Sequence, residues 1–238
     1  MSVNSRLVAF VLGAGTNVGS SVAAKLKENG YRVALGSRNG KTAAADAEYL
    51  NVQVDVSKRE SIESAFDTVV EKLGPVNVVV YNAASLHIPP NPDDALSLPV
   101  SSYEDSVALG VGAFTAAQKA LASFKNAVHR DHPKAFIVTG NILPFAQYSP
   151  PKFFTLGIQK VLEARFVATA SKSYEAENFQ FYFASLVTES GGPVYDYSVF
   201  LKSGPAHAKV YWDLINNKKQ VAWDHRFTID GKTYSASS

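Results

Sequence analysis

The sequence predicts an α/β fold, a doubly wound parallel sheet in a single domain over residues 1–238, and three observations favour it. Apolar runs typical of buried strands alternate with helical segments along the chain. A glycine-rich turn at 13–19 joins the first strand to the first helix. No internal repeat or low-complexity linker divides the 238 residues, a length that suits one large domain. Residues from about 188 to 238 are expected to form a substrate-loop and C-terminal region.

In the N-terminal half, short apolar runs are bounded by turn residues. Strands are predicted at 7–12, 31–36, 50–54 and 76–81, because each run is apolar or alternates apolar with polar residues. A helix is predicted at 20–29, where Gly30 ends it. A second helix is predicted to end at Leu73 and to begin at a capping box, in which Ser57 and Glu60 satisfy the first backbone N–H groups.

In the C-terminal half the same alternation continues. Strands are predicted at 135–139, 179–185 and 220–229, and helices at 103–128, 155–177 and 206–216. The helix at 103–128 has alanines and glycines on one face, which allow close packing. Segments rich in proline, glycine or tyrosine separate these elements, and loops are predicted at 85–99, 142–154 and 188–205, the last of them mobile.

The carboxyl ends of the strands are where a ligand is expected. Strands that alternate with helices imply right-handed crossovers and a parallel sheet, and such sheets bind ligands beyond the carboxyl ends of their strands. This rule brings together six segments, at 13–19, 37–39, 55–56, 82–84, 139–141 and 186–188.

The glycine-rich turn predicts dinucleotide binding in a Rossmann-type strand–turn–helix unit. Gly13 and Gly15 allow a sharp turn and the close approach of a ligand, and Gly19 lets the helix pack close to the strand. The backbone N–H groups of Thr16, Asn17 and Val18 are then placed to face a diphosphate. The alternative is a turn that only shapes the sheet.

The end of the second strand indicates which dinucleotide is bound. An acidic residue there would accept a hydrogen bond from a ribose 2′-hydroxyl, but the residues are Ser37, Arg38 and Asn39. An arginine can hold a 2′-phosphate through charge-assisted hydrogen bonds. NADP(H) is therefore predicted in preference to NAD(H), and the alternative is that Arg38 is a solvated surface charge.

Composition excludes several classes of function. The net charge of +2, from 23 basic and 21 acidic residues, gives no support to nucleic-acid or membrane-surface binding. Without cysteine, the chain has no disulfide, zinc–thiolate site or cysteine nucleophile, and no metal site is predicted. Neither a signal peptide nor a stretch long and apolar enough to span a bilayer is predicted, and a cytoplasmic location is expected.

With these motifs in order, the sequence resembles the short-chain dehydrogenase/reductase family along nearly its whole length. The matching residues are the glycine turn, Arg38, the Asp55-Val56 and Asn82-Ala83-Ala84 segments, and the helix that carries Lys160. With Thr139-Gly140-Asn141 and the helix at 206–209, the sequence resembles an atypical subgroup common in fungi.

The resemblance implies roles for several of these residues. Asp55 would bind the adenine amino group, and Asn82, Ala83 and Ala84 would support the adenosine side and the central strand. Asn17 stands where the family has the central glycine of its turn. Further residues implied at the cofactor are Val56, Thr139, Lys160, Leu186, Val187 and Thr188. The helices at 103–128 and 155–177 would form the interfaces of a homodimer or homotetramer.

The family's catalytic set of asparagine, serine, tyrosine and lysine is only partly present. If Lys160 is the family lysine, the tyrosine position is Leu156, the serine position is Asn141, and the helix asparagine falls near Leu109. The alternative register pairs Tyr148 with Lys152, but Pro150 and Pro151 lie between them and disfavour one helical turn. Lys160 also fits the family spacing better.

The proton donor is left open by the sequence. Tyr148 is predicted near the pocket as a replacement donor, and Asn141 is predicted to orient a substrate carbonyl. His87 and His207 are weaker donor candidates. Tyr195 and Tyr197 are expected to line a substrate cleft or cover the core.

The resemblance favours a reductase that transfers hydride from NADPH to a carbonyl of a small-molecule substrate. Two alternatives remain: a cofactor-binding sensor or regulator without redox turnover, and a non-redox isomerase or cyclase. The depleted catalytic set is compatible with all three.

Overall fold

A seven-stranded parallel sheet forms the centre of the protein in a computed structural model that describes residues 7–40, 48–147 and 149–235. Its strands are β1 (Val8–Leu12), β2 (Arg32–Ser37), β3 (Leu50–Gln53), β4 (Val78–Tyr81), β5 (Ala135–Gly140), β6 (Gln180–Leu186) and β7 (Asp224–Phe227). They lie in the order β3-β2-β1-β4-β5-β6-β7, with every neighbouring pair parallel. The predicted α/β, doubly wound fold is confirmed.

Helices cover both faces of this sheet. They are α1 (Val18–Glu28), α2 (Arg59–Leu73), α3 (Val100–Phe124), α4 (Phe154–Ser173), α5 (Tyr197–Phe200) and α6 (Gly204–Ile215). Single 3₁₀ turns lie at Ala95–Ser97, Ala127–His129, Leu143–Phe145 and Pro151–Phe153. Helices α1 and α6 pack together on one face, and α2, α3 and α4 cover the other.

The alternation of side chains along β1 divides the interior into two cores. Phe10 and Leu12 point into the core beneath α2, α3 and α4, whereas Ala9 and Val11 point into the core beneath α1 and α6. All four side chains are fully buried. The continuous apolar run of β1 therefore reflects burial on both sides of the sheet.

Two local predictions are wrong. The capping box at Ser57 and Glu60 does not form: Ser57 donates its amide and hydroxyl to Asp55 Oδ1 instead, and α2 begins two residues later without a side-chain cap. The last strand is only four residues long, because Gln220 uses its side chain to bond the backbone of Phe181 before β7 begins.

The sequence prediction that no stretch is long and apolar enough to span a bilayer is wrong for α3. By length and composition alone, this helix could cross a membrane. Half of the most apolar window of this 25-residue helix is buried inside the protein. It packs against α2 and α4, and its small residues Ala113, Ala116 and Ala120 lie in the core. Core helices of soluble proteins pass the same test.

The strand order reverses next to β1, and this places a crevice above the middle of the sheet. β1 pairs with β2 on one side and with β4 on the other. The chain therefore first adds β2 and β3 on one side of β1, and later adds β4 and the following strands on the other side. The glycine turn after β1 and the Asn82–Ala84 turn after β4 therefore face each other across a topological switch point.

Candidate active site

The three glycines of the turn serve three different purposes. Gly13 has a φ of +83°, and a Cβ there would lie 2.6 Å from the amide nitrogen of Ala83. A Cβ at Gly19 would lie 2.7 Å from the Cα of Ala14, so this glycine lets α1 pack on the turn. At Gly15 nothing lies within 4 Å of an added Cβ. Gly15 is therefore the glycine that leaves space for a ligand, whereas Gly13 lets the turn approach the end of β4.

Some backbone N–H groups of the turn form hydrogen bonds within the protein, and others are unpaired and available to a ligand. Gly13 and Ala14 donate to the carbonyl of Gly36 at 3.0 and 3.1 Å. Those of Thr16, Asn17 and Val18 donate to no atom within residues 7–40, 48–147 and 149–235. Unpaired amides at a helix N-terminus, beside open space, fit the diphosphate of a dinucleotide.

A buried hydrogen-bond chain fixes the turn relative to the sheet. Asn82 Nδ2 donates to the carbonyl of Gly13 at 2.8 Å, and Asn82 Oδ1 accepts from Thr139 Oγ1 at 2.8 Å. Tyr211 on α6 donates its hydroxyl to Thr139 Oγ1 at 2.8 Å, and burial raises the pKa of that phenol. Asn82 and Thr139 thus connect β4, β5 and α6 to the glycine turn.

Many of the predicted site residues line one cavity of about 520 Å³. The predicted residues that line it are Gly15, Thr16, Asn17, Val18, Asn82, Ala84, Thr139, Asn141, Lys160 and Leu186. Its remaining wall is largely apolar and aromatic, formed by Leu86, Ile142, Leu143, Phe153, Leu156, Pro193, Val194, Tyr195, Tyr197, Phe200 and Leu201. The cavity is therefore large enough and chemically suited for an organic ligand.

The residues predicted to bind the adenosine end lie at the same sheet edge but outside this cavity. Arg38 and Asn39 are exposed beyond β2, and Ser37 is half-buried. Asp55 follows β3, and its pKa is lowered by the hydrogen bond from the Ser57 hydroxyl. Val56 follows Asp55 and is half-buried. This order along the edge matches an extended ligand that passes from the cavity over the glycine turn.

The predicted residues after β6 differ in position. Leu186 lines the cavity, but Val187 is buried and forms a bridge to Pro193. Thr188 Oγ1 accepts a hydrogen bond from the amide of Gly192 at 3.0 Å and shapes a tight turn. Outside the cavity, Ala83 offers its carbonyl to Gln159 Nε2 at 2.9 Å, a bond that connects the turn after β4 to α4.

Lys160 enters the cavity from α4 as half of a buried ion pair. It is 3% exposed, and its Nζ donates to Glu163 Oε2 at 2.7 Å. Glu163 is fully buried, and its Oε1 accepts from Gln159 Nε2 at 2.7 Å. Burial raises the pKa of the Glu163 carboxyl, while the bonds from Lys160 and Gln159 oppose that change.

The two alternative lysines lie in different surroundings. Leu156, one turn before Lys160 on α4, also lines the cavity. Lys152 is exposed in the 3₁₀ turn that precedes α4, and its Nζ lies over the neighbouring Phe153 ring, 5.2 Å from the ring centroid. Tyr148 lies outside the described residues. Asn141 lines the cavity, and its Oδ1 accepts from the amide of Leu143 at 3.0 Å.

Comparison with known proteins now identifies the family. A family model described as short chain dehydrogenase matches residues 7–142, more than half of the chain. The chain belongs to the short-chain dehydrogenase family. The short chain dehydrogenase/reductase dmxR12 of Cryptosporiopsis sp. (strain 8999) is 30% identical over 95% of this chain and 93% of its own. The granaticin polyketide synthase putative ketoacyl reductase 2 of Streptomyces violaceoruber is 37% identical over 97 residues, or 39% of each chain.

Solved structures of other short-chain dehydrogenases share the fold. A short chain dehydrogenase from Burkholderia cenocepacia, in complex with NADP, superposes with a TM-score of 0.71 over 97% of this chain and 98% of its own, at 15% identity. A 3-ketoacyl-(acyl-carrier-protein) reductase from Brucella melitensis, complexed with NADH, gives a TM-score of 0.65 over 78% and 76%, at 19% identity. At these identities the likeness concerns the fold alone.

The two histidines suggested as proton donors are unsuited to that role in this short-chain dehydrogenase. His87 directs Nε2 toward Asp105 at 3.7 Å and does not line the cavity. His207 Nδ1 faces the carbonyl of Ser203 at 2.9 Å, and because a carbonyl only accepts, the ring proton lies on Nδ1. Burial lowers the pKa of His207 to about 4, so its Nε2 carries no proton at neutral pH.

Tyr195 and Tyr197 line the cavity, which is one of the two positions predicted for them. Tyr195 stacks on Phe153 with ring centroids 5.2 Å apart, and Tyr197 stacks on Phe200 at 6.2 Å. Both tyrosines are exposed at the outer part of the cavity. The stacked pairs give the entrance flat aromatic walls.

Sequence reasoning missed Glu163, Gln159 and Tyr211. The signal for the first two was present: Gln159 and Glu163 lie four residues apart on the helix face that also carries Ala164 and Val167. A carboxylate on the apolar face of a core helix predicts a buried partner. Tyr211 gave no comparable signal, because a tyrosine on an apolar helix face is ordinary core.

Asn17 joins the glycine turn to the segment before α6. Its Nδ2 donates to the carbonyl of Phe200 at 2.6 Å, and its Oδ1 accepts from the amide of Gly204 at 2.9 Å. We expect Asn17→Gly to lower the free energy of unfolding by about 1–3 kcal/mol, because both backbone groups lose their partner. Urea denaturation measures that loss, and faster proteolysis at 189–203 should accompany it. Thr169→Ala, which removes an exposed hydroxyl bonded to the carbonyl of Arg165 within α4, is the control, and an equal loss in both variants would contradict the role of Asn17.

Proposed function

We propose that the protein is an NADP(H)-dependent oxidoreductase that reduces a carbonyl group of a small molecule. The observation that carries the proposal is that one cavity contains both the unpaired amides of the glycine turn and the Lys160 side chain. The amides fit a diphosphate, and the lysine is the residue that the family places at the nicotinamide end. When bound, the dinucleotide would supply the hydride.

Arg38 supports NADP(H) rather than NAD(H). It is exposed directly after β2, at the strand end where the family distinguishes the two cofactors, and it forms no ion pair with the residues that the structure describes. Its guanidinium is therefore available to a 2′-phosphate. Relatives in the family have been solved with NADP and with NADH, so this choice depends on the residues of the chain itself.

Replacing Arg38 by alanine is expected to weaken NADPH binding by about 1.5–3 kcal/mol, because a charge-assisted contact to the phosphate is lost. NADH binding should remain nearly unchanged. Calorimetric titration of both cofactors measures the two affinities. Arg59→Ala removes an exposed arginine from the start of α2 and serves as a control for net charge. An equal loss for NADPH and NADH in Arg38→Ala would contradict the proposal.

The substrate that fits the apolar part of the cavity wall is uncharged and apolar. Leu143, Phe153, Leu156 and Tyr195 form this part of the wall, and Lys160 is the charged residue among the described residues that line the cavity. A substrate carboxylate or phosphate would lose its hydration there without a second cation to compensate. A ketone or aldehyde on a flat apolar skeleton would be buried without that penalty.

The second candidate function is cofactor binding without redox turnover. Leu156 favours it, because this side chain lines the cavity where the resemblance places the family tyrosine, and leucine cannot donate a proton. Tight binding of NADPH with no oxidation by any carbonyl compound would establish this alternative. Conversion of a bound small molecule without net oxidation of the cofactor would instead indicate an isomerase or cyclase.

We also propose a homodimer or homotetramer that assembles through α3 and α4. Val111 and Phe114 on α3, and Val161 and Leu162 on α4, are large apolar side chains that are exposed on adjacent helices. Exposed apolar patches of this kind favour association. Phe114→Glu is expected to shift the protein to a smaller species in sedimentation, whereas an unchanged oligomer would contradict this interface. Leu96→Glu, which changes an exposed leucine outside these helices, is the control.

A further inference from the structure

We propose that Lys160, held in place by Glu163, is the group that gives a proton to the substrate oxygen. This inference rests on the proposed carbonyl reduction and assigns the step that the missing tyrosine leaves open. Lys160 is then a catalytic residue and Glu163 a positioning residue.

The geometry places the ammonium where such a donor is needed. Lys160 lines the cavity together with Leu156 and Asn141, and its single described partner is Glu163 Oε2 at 2.7 Å. An ammonium has three N–H donors, so two remain for ligands. Gln159 holds the other carboxylate oxygen at 2.7 Å and so prevents Glu163 from turning away.

A purely structural role does not account for this pair. In many proteins the desolvation free energy of two buried charges exceeds the free energy gained from their mutual attraction. A buried ion pair is therefore weak evidence for a stabilising role. An exposed pair at the C-terminal end of α4 offers a comparison. Lys172 and Glu175, which lies just beyond the helix, have the same spacing and the same 2.7 Å distance. The buried pair differs because its lysine borders the cavity.

Other ionisable groups in the described cavity wall are less suited to give a proton. His207 is neutral, with its one ring proton on Nδ1. Tyr195 and Tyr197 are exposed at the entrance and stacked on phenylalanines. The side chains of lysine and tyrosine both have unperturbed pKa values of about 10, so an ammonium can replace a phenol as the proton donor.

A ketone substrate accepts both a hydride and a proton in this step. The carbonyl carbon accepts a hydride from the dihydronicotinamide, and the electron pair of the C=O π bond moves to oxygen. That oxygen takes a proton from Lys160 Nζ, which gives an alcohol, the oxidised nicotinamide and a neutral Lys160 amine. Positive charge passes from the ammonium to the nicotinamide ring, so the net charge of the site is unchanged. Water restores the proton of Lys160 when the product leaves.

The neighbouring elements contribute few other charges to this pair. Tyr81 at the end of β4 faces it, and burial and the charge of Glu163 raise the pKa of that phenol. On α3, Asp105 pairs with His87, and Lys119 pairs with Asp67. The remaining titratable groups of α3 are Tyr103 and Glu104, which are exposed, and Tyr103 packs on Phe154. Among the described residues, Glu163 is therefore the charged group in direct contact with Lys160.

Four variants test the assignment: Lys160→Met, Glu163→Gln, Tyr148→Phe and the control Glu175→Gln. Lys160→Met should lower kcat by about 10²–10⁴-fold, the usual effect of losing an acid. Since the ammonium is the active form, kcat falls as pH rises, and Glu163→Gln should move that fall to lower pH by about one pH unit or more. Glu175→Gln, the control, should leave kcat and the pH profile unchanged, whereas Tyr148→Phe tests the competing donor that the sequence predicts. NADPH affinity, measured separately by fluorescence, distinguishes lost binding from lost proton transfer.

The contrary outcomes are distinct. If the wild type turns over and Lys160→Met keeps its kcat, or if Tyr148→Phe abolishes turnover, the assignment is overturned while the proposed function stands. If Glu163→Gln folds and leaves the pH profile unchanged, Glu163 does not position the acid. If the wild type binds NADPH but no carbonyl compound in the panel causes its oxidation, the proposed function and this inference both fail.

Discussion

Glu163→Leu is expected to lower the free energy of unfolding by about 3–5 kcal/mol, because it leaves the Lys160 ammonium buried without an anion. Lys160 is only 3% exposed, so water at the cavity side compensates poorly for the lost carboxylate. Gln159 also loses the acceptor of one of its hydrogen bonds. Urea denaturation at neutral pH, followed by far-UV circular dichroism, measures the effect.

The double variant Lys160→Met/Glu163→Leu should recover most of that loss, because two apolar side chains then fill the space of the ion pair. Glu175→Leu breaks the exposed pair at the C-terminal end of α4 and should change the free energy of unfolding by no more than about 0.5 kcal/mol. A double variant as unstable as Glu163→Leu would show that the carboxylate stabilises the fold by contacts other than the one to Lys160.

Gly112→Ala is expected to lower the free energy of unfolding by about 3 kcal/mol, at the upper end of the range for a methyl group added to a packed core. A Cβ at Gly112 would overlap the carbonyl oxygen of Val56, and it would also contact Ile62 at 3.2 Å. A backbone oxygen cannot rotate away, so α3 or the segment after β3 must move. Because Val56 follows the predicted adenine ligand Asp55, weaker NADPH binding should accompany the loss of stability.

Gly157→Ala provides the matched control on α4. Nothing lies within 4 Å of an added Cβ at Gly157, and alanine favours the helix by about 0.5–1 kcal/mol over glycine. This variant should therefore become more stable in the same denaturation experiment. If Gly112→Ala were as stable as the wild type, the close packing of α3 against the Val56 segment would be wrong.

Much of the fold could be predicted because its signals are local. The apolar run of β1 and the glycine turn after it need no distant partner to be recognised, and both are where the sequence places them. The capping box failed for the opposite reason. Ser57 has a competing acceptor in Asp55, two residues away, and its hydroxyl bonds there instead.

The candidate site was less predictable, because its decisive contacts join distant parts of the chain. Asn17 contacts Phe200 and Gly204, and Thr139 contacts Asn82 and Tyr211. No periodicity in the sequence reports such pairs. The role of Gly13 also differs from the simple expectation: its missing side chain makes room for the backbone of Ala83 rather than for a ligand.

The measurement that tests the central claim most directly is NADPH oxidation by the purified protein with a panel of apolar ketones and aldehydes. It is followed by absorbance, with mass spectrometry of the alcohol formed. We predict turnover with NADPH, far slower turnover with NADH, and a further loss in Lys160→Met. Binding of NADPH by calorimetry, with neither oxidation nor alcohol formation across the panel, would contradict carbonyl reduction.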